Sequence, residues 1–308
     1  PVSQLAQEQP HLDFDPMVEG RAPKNPLLKK APLKPTLPYA DRDAAISGGG
    51  LAPAVMPPTI VNVEGMNNTA NGALFGFTVS PPDTNGDIGR THYVQTVNLA
   101  VQVFNINGTP LTAPFKMSSL FTALGASNIC ATDDDGDPIV LYDHLADRWF
   151  ISQFALTSPF HQCVAVSQTG DATGAYYVYD FVMPNNFAND YPHFGVWPDA
   201  YYMTDNQFNA SLTAFTGAGV FAYDRSKMLV GDPTATYIYF DQPAALGIGG
   251  QLPSDLEGPP PPAGTGNIFA MFTANEFGDP GGDGMRLWEF TPDFDTPAAV
   301  AKAAIAAI

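Results

Sequence analysis

Two short acidic loops hold the residues best suited to chemistry in this 308-residue chain. In the first, Asp83-Thr84-Asn85-Gly86-Asp87-Ile88-Gly89, the side chains of Asp83, Asn85 and Asp87 place oxygen atoms at alternate positions of a glycine-containing turn. Calcium loops collect carboxylates and carbonyls in this way, although the glycines do not fall where an EF-hand needs one. The second, Asp133-Asp134-Asp135-Gly136-Asp137, sets four carboxylates within five residues. A hard divalent ion would relieve their mutual repulsion, so Asp133, Asp135 and Asp137, like Asp83, Asn85 and Asp87, are the expected ligands for Ca2+. The alternative is a solvated loop at high dielectric, where the repulsion is small.

Other chemistries find less support. The histidines His11, His92, His144, His161 and His193 form no closely spaced pair, so a zinc site is not indicated. His92 and His193 stand near the start of a strand, where turn-stabilising hydrogen bonds are the expected role. No Gly-x-Ser-x-Gly elbow, P-loop or dinucleotide fingerprint is present. Cys130 and Cys163 are the only cysteines and flank strands of one repeat. A disulfide staple between them would suit an oxidising compartment, with two buried free thiols as the alternative. Tyr176, Tyr177, Tyr179, Tyr191, Trp197, Tyr201 and Tyr202 could stack on sugars or a protein partner, but filling the wedges between repeats is the more ordinary role.

What must position these groups is a repeat. A turn with Asp, Gly or Pro followed by a short aromatic and β-branched run recurs at residues 89–98, 147–154, 198–206 and 266–275, about 50 to 70 residues apart. Each unit is too short to bury its own core, so the units must pack on one another. Strands are expected at 75–80, 93–98 and 101–105, with Asn107-Gly108 as a tight turn, then at 139–142, 149–154, 163–168 and 176–181. The third unit supplies 194–197, 201–204, 219–223 and 237–240, and the fourth supplies 268–273 and 285–290. Four antiparallel strands per unit is the pattern of a β-propeller blade, so an all-β propeller of about four blades is expected, complete or as part of a larger one.

Residues 1–58 carry eleven prolines and read as an extended arm, either a strap along the body or a neighbouring subunit, or a disordered linker. Residues 59–295 form the repeat domain, and the Ala-rich tail 296–308 could form a short helix but lacks a closing strand. The arm holds six basic and six acidic residues, so the net charge of −18 belongs to the rest of the chain. Such a surface repels nucleic acid and anionic lipid and favours cations and basic partners, or serves solubility alone. With no apolar run long enough to span a bilayer and no signal peptide, the chain reads as a soluble or processed form that does not insert in membranes. Sequons at Asn67, Asn107 and Asn209 matter only in a glycosylating host.

The runs at residues 81–98, 135–153 and 191–204, among them Asp-Gly-Asp-Pro-Ile-Val-Leu-Tyr-Asp-His-Leu-Ala-Asp-Arg-Trp-Phe, resemble a group of largely uncharacterised secreted bacterial proteins with sialidase-like propeller character. The resemblance spans roughly residues 75–295 and implies fold and export, and members of the group continue beyond this chain's last residue. Sialidase chemistry itself needs an arginine triad, and sialidase blades carry Ser-x-Asp-x-Gly-x-x-Trp boxes. The body has only Arg90, Arg148, Arg225 and Arg286, and no such box. The expectation is therefore a secreted or cell-surface, non-enzymatic binding and assembly module, cation-stabilised, meeting a protein or glycan partner and able to oligomerise through its arm. The alternative is a glycan-active enzyme using axial carboxylates such as Asp135, Asp137 and Asp199.

Overall fold

The computed structural model describes residues 58–273 and 283–295, together with the backbone of residues 18–19 and 304–307. It is an all-β propeller of four four-stranded antiparallel sheets in which each chain segment fills one sheet before the next begins. The first sheet holds β3 (Asn85–Ile88), β4 (His92–Val97), β5 (Ala100–Asn105) and β6 (Phe115–Lys116). The second holds β7 (Gly136–Asp143), β8 (Arg148–Ala155), β9 (His161–Ser167) and β10 (Tyr176–Val182). The third holds β11 (Ala188–Val196), β12 (Tyr201–Phe208), β13 (Phe215–Tyr223) and β14 (Tyr237–Pro243). The fourth holds β15 (Leu252–Pro253), β16 (Asn267–Thr273), β17 (Gly284–Phe290) and β18 (Ala304–Ala307). The first strands of successive sheets, β3, β7, β11 and β15, neighbour one another and line the axis.

The central strands do not alternate apolar and polar residues, because both of their faces are buried. Every residue of β9 and β12 is buried, as is all of β8 after its first residue. Alternation here sorts side chains between two interfaces. Tyr201 and Met203 of β12 and Phe221 and Tyr223 of β13 join Phe150, Phe181 and Phe194 in the core between sheets 2 and 3. Their neighbours Tyr202, Val220 and Ala222 join Phe269, Trp288 and Phe290 between sheets 3 and 4. Val94, Val101 and Phe115 meet Trp149, Ile151 and Ala165 between sheets 1 and 2. Continuous apolar runs are what such doubly covered strands require.

The outer face of sheet 1 is covered by a helix, α1 (Asn68–Phe75), whose Leu74 packs with Met66, Val97 and Ala100. This corrects the strand expected at 75–80. Asn67 caps α1 by accepting from the Thr69 N–H at 3.0 Å, Gly76 ends it with φ 76°, and only Val79–Ser80 (β2) is extended. The backbone of Val18–Glu19 (β1) pairs in parallel with β2; the rest of the expected arm lies outside the described residues. Of the tail, the backbone of Ala304–Ala307 pairs with β17 as a strand where a short helix was expected. In the hairpin after β5 only Gly108, at φ 79°, has positive φ; Asn107 does not.

Cys130 and Cys163 form a disulfide, tying α2 (Ile129–Thr132) to β9 across 33 residues. Closing a loop of that length restricts the unfolded chain by about 3–4 kcal/mol. Cys130→Ser with Cys163→Ser is accordingly expected to lower the free energy of unfolding by about that amount, measured by chemical denaturation. A loss below about 1 kcal/mol would show that the staple is redundant with the core around it.

Candidate active-site cleft

An innermost strand has a sheet partner on one side only, so the N–H groups of its other edge need acceptors from elsewhere. The acidic residues singled out by the sequence supply several of them. Asn85 Oδ1 accepts from the Val140 N–H at 2.8 Å and Asp87 Oδ2 from the Tyr142 N–H at 2.6 Å, stitching β3 to β7. Asp137 Oδ2 accepts from the Tyr191 N–H at 3.1 Å, joining β7 to β11. Asp255 Oδ1 accepts from the Val196 N–H at 2.7 Å, joining the fourth sheet to β11. Residues 85–88 are therefore strand β3, where the sequence suggested only a turn.

The second acidic loop is knitted into its surroundings residue by residue. Asp133 accepts from the hydroxyls of Thr132 and Thr157, and Asp135 from the Leu156 N–H at 2.6 Å. Asp134 takes both the N–H and the hydroxyl of Ser118, and its burial pushes it up to about 6. Among the described residues no three His, Cys, Asp or Glu side chains are arranged to hold a metal ion. Asp199 lies in the turn between β11 and β12, where it accepts from the Tyr202 hydroxyl at 3.1 Å. Of Asp135, Asp137 and Asp199, Asp137 alone reaches the cleft described next.

That cleft, of about 180 Å³, is lined by Asp83, Thr84, Asn85, Asp137, Pro138, Ile139, Tyr191, Pro192 and His193. One carboxyl group of each acidic loop, Asp83 and Asp137, thus reaches the same cleft. Two bulges build the site, one in β7 between Gly136 and Ile139 and one in β11 between Asp190 and His193. Bulges of this kind re-aim side chains next to functional sites. Asp83, Asp137 and Tyr191 all adopt positive φ, at 36°, 43° and 56°. Non-glycine residues rarely do so, and each such position costs on the order of 1–3 kcal/mol that the surrounding structure must offset. Gly136 lies just before Asp137, and a Cβ there would meet Asn98 Oδ1 at 2.2 Å. Asn98 in turn donates to Asp83 Oδ2 at 2.8 Å, so the close approach at Gly136 places the two loops.

The electrostatics follow from crowding carboxylates in a half-dry space. The carboxyl groups of Asp83 and Asp137 lie close enough that each alters the other's proton affinity. Burial, and then the charge of Asp83, push Asp137 up to about 7. Asp190, 8% exposed, stands just behind the lining. Burial and then the charge of Asp137 push it up to about 8. Further in, Asp205 is driven upward by burial while its Oδ1 accepts from the Gly219 N–H at 2.8 Å. Burial holds His193 below its ordinary value, so it faces the cleft uncharged at neutral pH. The result is a group of carboxyl groups whose proton affinities are raised toward the neutral range, the property general acid and base chemistry uses.

Sequence reasoning missed Asp190 and gave His193 only a turn role. His92 does bond a turn neighbour, Thr91, at 2.8 Å, whereas His193 lies within β11 against the ring of Tyr191. The available signal was Pro192. A proline inside an apolar run marks a bulge, and a bulge flanked by Asp and His marks a place to look for chemistry.

The sequence matches no family model and no curated protein. Among solved structures it is similar to a GH43 β-1,3-galactosidase, with TM-score 0.38, 12% identity, and coverage of 75% of this chain and 46% of that one. It is also similar to a subtype N11 neuraminidase-like protein of a flat-faced bat isolate, with TM-score 0.38, 9% identity, and coverage of 67% and 53%. A third is the GH43 endo-arabinanase of Bacillus licheniformis, with TM-score 0.34, 9% identity, and coverage of 67% and 69%. The chain thus spans about half the length of the first two. At these identities and TM-scores the likeness bears on fold alone, and the propeller is read from the chain's own four sheets. Most of the similar structures are named as glycoside hydrolases, so the expectation of a non-enzymatic binding and assembly module finds no support among them and is not carried forward.

Proposed function

We propose that the protein hydrolyses glycosidic bonds by carboxylate acid–base catalysis in the cleft between sheets 1, 2 and 3. The observation that carries the reading is the meeting of Asp83 and Asp137 in the lining of one cleft, with the buried Asp190 next to the lining residue Tyr191. Glycoside hydrolysis needs a proton donor for the leaving oxygen and a carboxylate to activate water or attack the sugar. Asp137, pushed up to about 7, retains a proton for donation near neutral pH. Asp83, raised by burial and set against Asp137, belongs to the same proton-holding unit and is too close to be the carboxylate on the far side of the bond, which leaves Asp190 as the candidate for that role.

The Cys130–Cys163 disulfide supports a location outside the reducing cytosol, so the substrate in this reading is an extracellular or cell-surface glycan. Among the described residues no helix is long and apolar enough to cross a membrane.

The test is a hydrolysis screen on polysaccharides and aryl glycosides, followed by Asp83→Asn and Asp137→Asn. Each substitution is expected to lower kcat by about 10²- to 10⁴-fold with the melting temperature unchanged or raised. Turnover of none of the substrates, or turnover indifferent to both substitutions, removes the reading.

A further inference from the structure

We propose that Tyr191 is the platform on which the cleft stacks a sugar ring, and that the ring belongs to a neutral rather than an acidic glycan. The proposal rests on the reading of the cleft as a glycan-hydrolysing site, and goes beyond it to the class of substrate.

Tyr191 is the one aromatic residue that combines a place in the cleft lining with an exposure of 46%. Most of the large aromatic side chains of the inter-sheet cores are buried, as that packing requires. Its conformation is not one a tyrosine adopts by default. At φ 56° it sits in the left-handed region, where a bulky residue is rare and a glycine or asparagine would be comfortable. Three contacts hold it there. Its N–H donates to Asp137 Oδ2 at 3.1 Å, Pro192 fixes the chain that follows, and its ring meets that of His193 edge-on at 4.2 Å and 66°. Its hydroxyl has no hydrogen-bond partner among the described residues. Backbone strain spent on presenting an aromatic ring beside two carboxylates gains nothing for packing, and an exposed ring next to reactive groups is the ordinary means of seating a sugar.

The charge of the cleft selects the sugar. Its lining contains no Lys or Arg, while Asp83 and Asp137 face into it and Asp190 lies directly behind. Arg225 is held by Asp143, and Arg148 by the carbonyls of Ala146 and Asp147 at 3.1 and 2.8 Å. Even with protons held among these groups the cleft has net negative and no positive charge in its lining, so a carboxylated sugar would enter with no cation to receive it and would compete with the protons the site holds. A neutral ring meets hydrogen-bonding oxygens, the uncharged His193, the residues Pro138, Ile139 and Pro192, and the tyrosine.

The experiment is calorimetric titration in an Asp190→Asn background, with neutral galacto- and arabino-oligosaccharides as one arm and sialyllactose and oligogalacturonate as the other. Neutral ligands are expected to bind and acidic ones to bind at least about tenfold more weakly. Tyr191→Gly, which suits the positive φ, should keep or raise the melting temperature and weaken neutral binding by about tenfold or more, while Tyr191→Phe binds as before. Tyr191→Asn serves the same purpose should the glycine variant fail to fold. Undiminished binding by the Gly or Asn variant, preference for the acidic sugars, or binding of neither class overturns the proposal. Hydrolysis measured in parallel separates the two readings. Turnover with KM unchanged in Tyr191→Gly removes the platform alone, and Tyr191-dependent binding without turnover removes the hydrolase alone.

Discussion

Arg225→Ala is expected to destabilise the protein by about 3–5 kcal/mol, lowering the melting temperature by roughly ten degrees. Asp143, at the end of β7, is fully buried. The Nε and Nη2 atoms of Arg225, which opens the short helix α3 (Arg225–Met228) beyond β13, donate to its two oxygens at 2.7 and 2.9 Å. The Tyr201 hydroxyl adds a third donor at 2.8 Å, and the Ala146 N–H a fourth at 3.1 Å. The pair locks sheet 2 to sheet 3 beside the aromatic core that joins them. Removing the guanidinium strands a carboxylate where water cannot reach it, which costs far more than the pair itself contributes. Arg225→Lys should fall between, because a single ammonium cannot match the two-pronged geometry. Asp143→Leu combined with Arg225→Met should recover much of the loss. Denaturant titration of the four proteins decides the matter, and an Arg225→Ala loss under about 1 kcal/mol would show that the aromatic core alone holds the two sheets together.

The second large effect lies in pH. Asp137 and Asp190 have folded-state values near 7 and 8, against an ordinary value of 3.8. Between those limits the unfolded chain releases protons that the folded protein keeps, so stability falls as pH rises. The cost is absent below about pH 4, accumulates through neutrality and is complete above about pH 8. Asp180 works in the opposite direction. Burial disfavours its charge, but hydrogen bonds from His161 and Asn128 prevail and hold it below its ordinary value, so its contribution is lost in acid. The wild type should therefore be most stable at mildly acidic pH. Asp190→Asn should match it near pH 4, exceed it at pH 8 to 9 and flatten the slope between. Because Asp83, Asp137 and Asp190 titrate together, activity should also fall on the alkaline side as the last shared proton leaves. Parallel stability curves for the wild type and Asp190→Asn would contradict the burial of these carboxylates as a charged group of the fold.

Both effects concern residues whose importance is invisible in a list of motifs. Asp143 lies in Leu-Tyr-Asp-His and Arg225 in Tyr-Asp-Arg-Ser, 82 positions apart, with nothing local to pair them. Asp83 and Asp137 were legible as members of acidic loops. The geometry uses Asn85, Asp87, Asp133 and Asp135 to satisfy backbone and hydroxyl donors, and sends one carboxylate from each loop into a common cleft. Asp190 went unnoticed because a single Asp in an aromatic run carries no spacing signal.

What the sequence by itself determined is the architecture of the blades. Four recurrences of turn and β-branched run, the absence of long helical periodicity, and prolines and glycines at the joints leave little choice but stacked antiparallel sheets, because strand pairing and turn chemistry are local. The cysteine pair was likewise within reach, since both residues flank strands of one repeat. Only the tertiary structure decided which loops meet at the axis and what their carboxylates do there. Those outcomes depend on bulges that turn Asp137 and Tyr191 out of their strands, on a close approach at Gly136, and on the exclusion of water between sheets. They bring together segments some 40 to 80 residues apart, and it is the low-dielectric space they enclose, rather than any residue's identity, that moves a carboxyl group's proton affinity into the neutral range.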